Sequence, residues 1–196
     1  MKHLHITSIA LLIVLFAACK EEPKVISVDP LSFNLTYEAQ NGIFSVESNT
    51  EWTINPTQIW LTVTKTSSIT GDYSAEMNKT NELRTAYAEV SGPDAQTQNI
   101  TFIQEEFPIF KGWMRMGEGF REYFDFNDIL TGNYKWYNTV TLQYEEDRDF
   151  IFDFDHEKIT LTFLDNYDEF IYFYSFSPDR SALTLSNSYG DEYIYN

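Results

Sequence analysis

The sequence is short of cysteine, of positive charge and of long apolar runs. Among 196 residues there is one cysteine; a fold stapled by intramolecular disulfides needs at least two thiols, and a thiolate zinc cluster needs more. Lys and Arg number 13 against 30 Asp and Glu, a net charge of −17 with a pI of about 4.3. A chain that grips nucleic acid by neutralising phosphates needs the opposite surplus, so no nucleic-acid partner is expected. What is abundant is aromatic: Phe, Trp and Tyr make up 17% of a chain that is 43% apolar, too rich for a disordered acidic tail. The chain folds without disulfides, and its length suits one large or two small domains.

The first residues read as a processing segment rather than a fold element. Lys2 precedes an apolar run from Ile9 to Phe16, then Ala17-Ala18-Cys19 and a polar Lys20-Glu21-Glu22-Pro23. A spanning helix needs about 20 apolar residues to cross ~30 Å of hydrocarbon, and this run is shorter, as a secretory signal is. Phe16-Ala17-Ala18-Cys19 resembles the lipobox of bacterial lipoproteins, with Phe in place of the commoner Leu. The resemblance implies a signal peptide over 1–18, a tether over 19–24 and a covalent lipid on Cys19 as the only attached group. Each acyl chain adds about 0.8 kcal/mol per buried CH₂, enough when multiplied to hold the protein on a membrane without a spanning segment. Lys20-Glu21-Glu22 is similar to the short acidic export signal of Bacteroidetes lipoproteins and implies the outer membrane, facing the cell surface.

From Val25 to about Glu106 short apolar alternations are separated by Thr, Ser, Asn and Gly, which predicts seven or so strands in an antiparallel sandwich. Ile26-Val28 and Leu31-Leu35 read as edge strands split by Asp29-Pro30; Phe44-Val46, Trp52-Ile54, Trp60-Val63, Tyr87-Val90 and Ile100-Gln104 follow. Ser48-Asn49-Thr50-Glu51-Trp52, Trp60-Leu61-Thr62-Val63, Asn78, Arg84-Thr85-Ala86 and the closing Ile100-Thr101-Phe102-Ile103-Gln104 resemble the BACON domain, in order and over 25–106. The turn at Ala39-Gln40-Asn41-Gly42 departs from that pattern by keeping one glycine where two are common. The resemblance implies an immunoglobulin-like sandwich and an association with carbohydrate or mucin, which a spacer of the same fold would not need. Trp52 and Trp60 could stack on sugar, but a core about 10 Å thick needs large apolar groups, and both are expected inside it. Arg84 is expected to pair with a carboxylate or cap a strand.

Composition shifts at Phe107-Pro108, and residues 107–196 hold 24 of the 33 aromatics. Period-two alternation runs through Phe120-Phe126, Tyr134-Tyr144, Phe150-Phe154, Ile159-Phe163, Phe170-Phe176, Leu183-Leu185 and Tyr193-Tyr195. Short turns between them predict a seven- or eight-strand meander, curled or closed into an up-and-down barrel. Gly112-Trp113, Tyr123-x-Asp125-Phe126-Asn127, Ile159-Thr160-Leu161 and the segment from Tyr174 to Leu185 are similar to lipocalin-like domains of bacterial lipoproteins. That resemblance implies a barrel that holds an apolar ligand or is filled by side chains. Both faces of Phe170-Ile171-Tyr172-Phe173-Tyr174 are apolar, so one faces the core and the other is covered, by the first domain or the tether, or exposed. Tyr134, Trp136 and Tyr137 are the candidate glycan-binding residues, as an exposed aromatic platform for sugar rings.

Charges point away from catalysis. Residues 25–106 carry 3 bases against 11 acids, net −8, and residues 107–196 carry 7 against 17, net −10, so neither half offers a steering patch for an anionic glycan. Asp147, Asp149, Asp153, Asp155 and Glu157 fall close together, but a calcium loop begun at Asp147 would place Phe152 where its glycine belongs. With Phe150, Phe152 and Phe154 facing in, Asp153, Asp155 and Glu157 form a solvated row. His3 and His5 leave with the signal and His156 is alone, so no catalytic or metal residues are expected. The chain is expected to be all-β, non-enzymatic and envelope-anchored, with polysaccharide, mucin glycan or other envelope proteins as partners. The alternatives are a structural spacer or adhesion protein that binds another protein, and a carrier of a small apolar ligand.

Overall fold

A computed structural model of the chain describes residues 22–127 and 130–196. The expected signal peptide and the lipidation site Cys19 lie outside the described residues. Sixteen strands and no helix are described, so the chain is all-β. No helix among the described residues is long and apolar enough to cross a membrane.

Eight strands build the N-terminal half: β1 Ile26–Asp29, β2 Ser32–Leu35, β3 Gln40–Ser48, β4 Thr53–Pro56, β5 Leu61–Lys65, β6 Thr70–Ala75, β7 Arg84–Ser91 and β8 Gln98–Gln104. They form two four-stranded sheets, ordered β1-β3-β6-β5 and β2-β8-β7-β4. β1 and β2 lie at edges, one in each sheet, as the break at Asp29-Pro30 suggests. Two details differ from the sequence reading. β2 pairs with β8 in parallel, and β6 is an eighth strand whose Thr-Gly-Asp-Tyr-Ser-Ala gives almost no apolar alternation. Gly71 is needed there because the Phe44 ring occupies the space of any Cβ, 2.2 Å away.

Trp52 and Trp60 are buried in the sandwich core with Phe44, Phe102 and Ile100. The Trp52 indole donates to the Ser68 carbonyl at 2.7 Å, which satisfies its one polar atom. Among the described residues Arg84 pairs with no carboxylate: its Nε donates to the Gln104 side-chain oxygen at 2.8 Å and its Nη2 to the Glu76 carbonyl at 2.7 Å. Gln104 is fully buried and donates to the Glu38 and Glu76 carbonyls, each at 3.0 Å. Buried Asn78 likewise donates to the Glu82 and Glu105 carbonyls. These side chains supply partners to loop carbonyls that no sheet neighbour could reach.

The C-terminal half is one eight-stranded sheet in sequence order: β9 Gly112–Gly117, β10 Phe120–Phe126, β11 Thr131–Asn138, β12 Gln143–Phe154, β13 Lys158–Phe163, β14 Glu169–Phe176, β15 Leu183–Ser186 and β16 Glu192–Tyr195. It closes on itself through the reciprocal bonds Met114 N to Asn196 O, 3.1 Å, and Asn196 N to Met114 O, 2.8 Å. Phe124, Phe126, Phe150, Phe152, Phe154, Ile159, Leu161 and Phe163 point inward beside Trp113, and ring after ring is in contact at centroid distances of 5.0–6.2 Å. Eight strands enclose a space just wide enough for such side chains. The apolar-carrier reading needs an internal cavity, and these rings occupy that volume. On β14, Tyr172, Tyr174 and Phe176 turn in, while Ile171 and Phe173 stay exposed on the outside.

Consecutive hairpins of such a barrel alternate between its two ends. The β12–β13 and β14–β15 turns meet the sandwich: Lys79 bonds the Phe154 carbonyl and lies 3.5 Å from Asp153, and Arg180 pairs with Glu105. The β9–β10, β11–β12, β13–β14 and β15–β16 turns form the opposite, distal end.

Candidate functional site

Strand parity sorts the residues of β11. Gly132, Tyr134 and Trp136 face the barrel interior; Asn133, Lys135 and Tyr137 face outward. The Tyr134 hydroxyl donates to Glu122 Oε1 at 2.9 Å, and the Trp136 ring stacks on Phe120 with centroids 6.1 Å apart. Tyr137 meets Tyr144 edge-on at 5.1 Å on the outer face. The expected platform of Tyr134, Trp136 and Tyr137 is therefore not one surface. Two of its members turn inward because they continue the aromatic side of a strand whose other side is polar.

The outer face of β9–β12 instead gathers a different set. Antiparallel register aligns it in three rungs: Gly112, Asp125, Asn133 and Asp149; then Met114, Tyr123, Lys135 and Asp147; then Met116, Arg121, Tyr137 and Tyr144. A register shift between Trp136 and Tyr137 brings Tyr137 opposite Tyr144. A groove of about 570 Å³ runs over the first two rungs and reaches Tyr144 of the third, between Gly112, Met114, Tyr123, Asp125, Asn133, Lys135 and Tyr144. Gly112 opens it, because a Cβ there would meet nothing nearer than Asp125 Oδ1 at 3.8 Å. Asn133 Nδ2 donates to Asp147 and Asp149, each at 2.9 Å, which fixes the amide plane. The Lys135 ammonium lies 3.5 Å from Asp147 and 5.7 Å from the Tyr144 ring centroid, and the exposed Asp125 carboxylate has no partner among the described residues. The groove thus offers ring faces, a thioether, an oriented amide, an ammonium and free carboxylate oxygens, a surface that can stack an apolar face and bond hydroxyls beside it.

Behind the groove lies a buried polar cluster. Glu122 accepts from Arg115 Nε at 2.7 Å, from Tyr134 and from Tyr195 at 3.0 Å, and the guanidinium sits over the Phe120 and Tyr193 rings at 5.0 and 4.7 Å. Burial pulls the Arg115 guanidinium down, but its hydrogen bond to Glu122 and the carboxylate charge more than offset this and leave it raised. Burial, and then the Glu122 charge, push Tyr134 and Tyr195 well above the usual phenol range. Burial, with Tyr193 and Glu122 adding to it, pushes Tyr172 up to about 12.

A phenol raised in the folded state binds its proton where the unfolded chain has already lost it. The stability these tyrosines contribute is therefore complete below their ordinary pKa of 10.0 and is lost progressively as pH rises above it, for Tyr172 through about 12. Melting temperature is expected to hold up to pH near 10 and fall above it, with tyrosinate absorbance from the buried set appearing only as the fold is lost. Smooth ionisation of all tyrosines near their ordinary value, in folded protein, would contradict the cluster.

Among the described residues no three His, Cys, Asp or Glu side chains are grouped to hold a metal ion. His156 is exposed, 3.5 Å from Glu157.

Residues 25–106 match the family described as the viral BACON domain, which supports a BACON domain over that segment. No curated protein matches the chain. Among solved structures, a Bacteroides ovatus GH5 xyloglucanase in complex with a XXXG heptasaccharide aligns over 44% of this chain and 20% of its own, at 18% identity and a TM-score of 0.38. A Bacteroides thetaiotaomicron protein solved by NMR aligns over 46% and 92%, at 17% identity and 0.34. The endo-fucoidan hydrolase MfFcnA4, from glycoside hydrolase family 107, aligns over 45% and 14%, at 16% identity and 0.35. This chain spans about a fifth of the xyloglucanase's length, and similarities of this size carry no argument about activity.

Proposed function

We propose that the protein is a non-catalytic glycan-binding lipoprotein of the cell envelope, held by a lipid on Cys19 and displayed at the outer surface, with the outer groove of the barrel as its binding site. The observation that carries this is the three-rung face, where Tyr123, Tyr144 and Met114 lie beside Asn133, Lys135 and the free carboxylate of Asp125. Rings of this kind stack on the apolar face of a pyranose while the polar groups take its hydroxyls. A groove of about 570 Å³ falls within the size range of small-ligand sites. Asp125, Asp147 and Asp149 outnumber Lys135, so neutral polysaccharide fits and sulfated or uronate-rich chains are repelled. A BACON domain in the N-terminal half agrees with a carbohydrate-related role and in this reading presents the barrel.

Calorimetric titration against a panel of neutral polysaccharides tests the proposal. Tyr144→Ala is expected to weaken the best binder by roughly ten-fold, the loss of one stacking contact worth about 1.4 kcal/mol. Tyr137→Ala, opposite Tyr144 in the same rung but outside the groove lining, is expected to cost less. Equal affinity in wild type and Tyr144→Ala, or preference for an acidic polysaccharide, would remove the groove from consideration.

A further inference from the structure

The two ends of the barrel are unlike. At the end facing the sandwich, hairpins are engaged by Lys79 and by the Arg180–Glu105 pair. At the distal end all four hairpins or their flanks expose apolar side chains: Met116 is 67% exposed, Val140 80%, Leu142 71%, Tyr167 76% and Tyr189 91%. Single exposed apolar residues are ordinary, whereas a ring of them around one end of a barrel marks an interaction surface. The backbone adds a separate observation. Leu142 and Tyr167 hold φ of 58° and 60°, as Leu130 and Arg180 do in hairpins of the other end, a left-handed conformation where Gly or Asn sits without strain and a bulky side chain costs of order 1 kcal/mol; at the distal end the two side chains so held are 71% and 76% exposed. The tips keep large apolar groups where local geometry disfavours them. Inside the ring, Phe120 and Trp136 turn half-buried faces toward the same end.

Charge selects among occupants. Glu118, Glu145, Glu146, Asp168, Asp191 and Glu192 are exposed around this end, against Arg121 and an Arg148 already bonded bidentately to Asp165. An anionic bilayer is repelled by such a rim, and so is a second copy of a chain carrying −17. Aliphatic tips such as Val140 and Leu142 offer sugar hydroxyls no hydrogen bond. We infer that the distal end of the barrel docks a protein partner through a basic face bearing apolar side chains. Apolar contacts at the centre with complementary charge at the rim are the usual anatomy of such an interface. This surface adjoins the outer groove at the rung of Met116 and Arg121, but its tips Val140, Leu142, Tyr167 and Tyr189 line no part of the groove, so either proposal can fail alone.

Amide NMR of the full chain, titrated with a short amphipathic Lys-rich peptide as probe, tests this. Shifts are expected to concentrate in residues 116–120, 138–142, 164–168 and 187–191 and to spare the groove residues Tyr123, Asn133 and Tyr144. Affinity is expected to fall about ten-fold from low to high salt, and about ten-fold in Val140→Ser/Leu142→Ser, whose melting temperature stays unchanged because both side chains are exposed. Shifts spread over the other acidic faces, or an unchanged affinity in the double variant, would overturn the inference. So would partition of the chain into zwitterionic or phosphatidylglycerol vesicles through these loops, or dimerisation through them in sedimentation.

Discussion

Replacing Arg115 with Met is expected to destabilise the protein by roughly 3 kcal/mol in urea unfolding, more than any surface ion pair here could contribute. The reason is where Glu122 sits. It is 9% exposed, inside the barrel, and its carboxylate has three donors: the guanidinium, at 2.5 Å from Nη2, and the hydroxyls of Tyr134 and Tyr195. Removing the guanidinium leaves a charge in the ring-packed interior with only two neutral donors. Those donors place the loss at the lower end of the 3–5 kcal/mol typical of a broken buried pair. Methionine keeps the unbranched stem, so little of the effect comes from lost packing on Phe120 and Tyr193. The double substitution Arg115→Met/Glu122→Gln removes the stranded charge and is expected to recover most of the loss. A loss below about 1 kcal/mol in the single variant would mean that water reaches Glu122 and that the pair behaves as an exposed one.

That cluster also shows how far the sequence could be read. The period-two run Phe120, Phe124, Phe126 assigns the inner face of β10, and Glu122 falls on that face by parity alone. A carboxylate there requires a cation and hydroxyls, yet nothing local says that they come from Arg115 one strand away and Tyr195 at the far end of the chain. Closure of β16 on β9, through Met114 and Asn196, brings them together. The orientation of β11 was within reach. Asn133 and Lys135 alternate with Tyr134 and Trp136, a polar side against an aromatic one, and the aromatic side belongs to the core. The groove was not within reach, because its members lie on four strands and meet only through register, which hairpin lengths and the shift at Trp136/Tyr137 determine. β6 was hidden for the opposite reason. Its side chains yield space to neighbours, as Gly71 does to Phe44, so the strand is defined by its partners β3 and β5 rather than by its own pattern.

Phe107→Ala is expected to have the largest effect of a single truncation, about 3–5 kcal/mol, and to change how the protein unfolds. Phe107 lies between β8 and β9, where the chain passes from sandwich to barrel. Its ring is almost fully buried, stacked on Phe154 at 4.2 Å and 7° and met edge-on by Tyr37 at 5.1 Å and by Tyr174 and Phe176 at 5.7 Å. Tyr37 comes from the sandwich and the other rings from the barrel, so one side chain belongs to both. Its backbone is tied down as well, Phe107 N donating to the Thr80 carbonyl at 2.9 Å. Truncation to Ala opens a cavity that rings held on separate sheets cannot collapse to fill, which places the loss in the upper range for a core aromatic. The ion pairs that also join the halves, Arg180 with Glu105 and Lys79 with Asp153, are partly exposed and contribute little, and the other ring contact across the junction, Tyr37 with Phe176, is longer, at 6.2 Å. Calorimetry of wild type is therefore expected to show one transition, and Phe107→Ala two, the barrel melting first because it loses the stacking of Phe154. Arg180→Ala is expected to leave the single transition intact. Two transitions in wild type, or one in Phe107→Ala, would show that the shared ring does not couple the two halves.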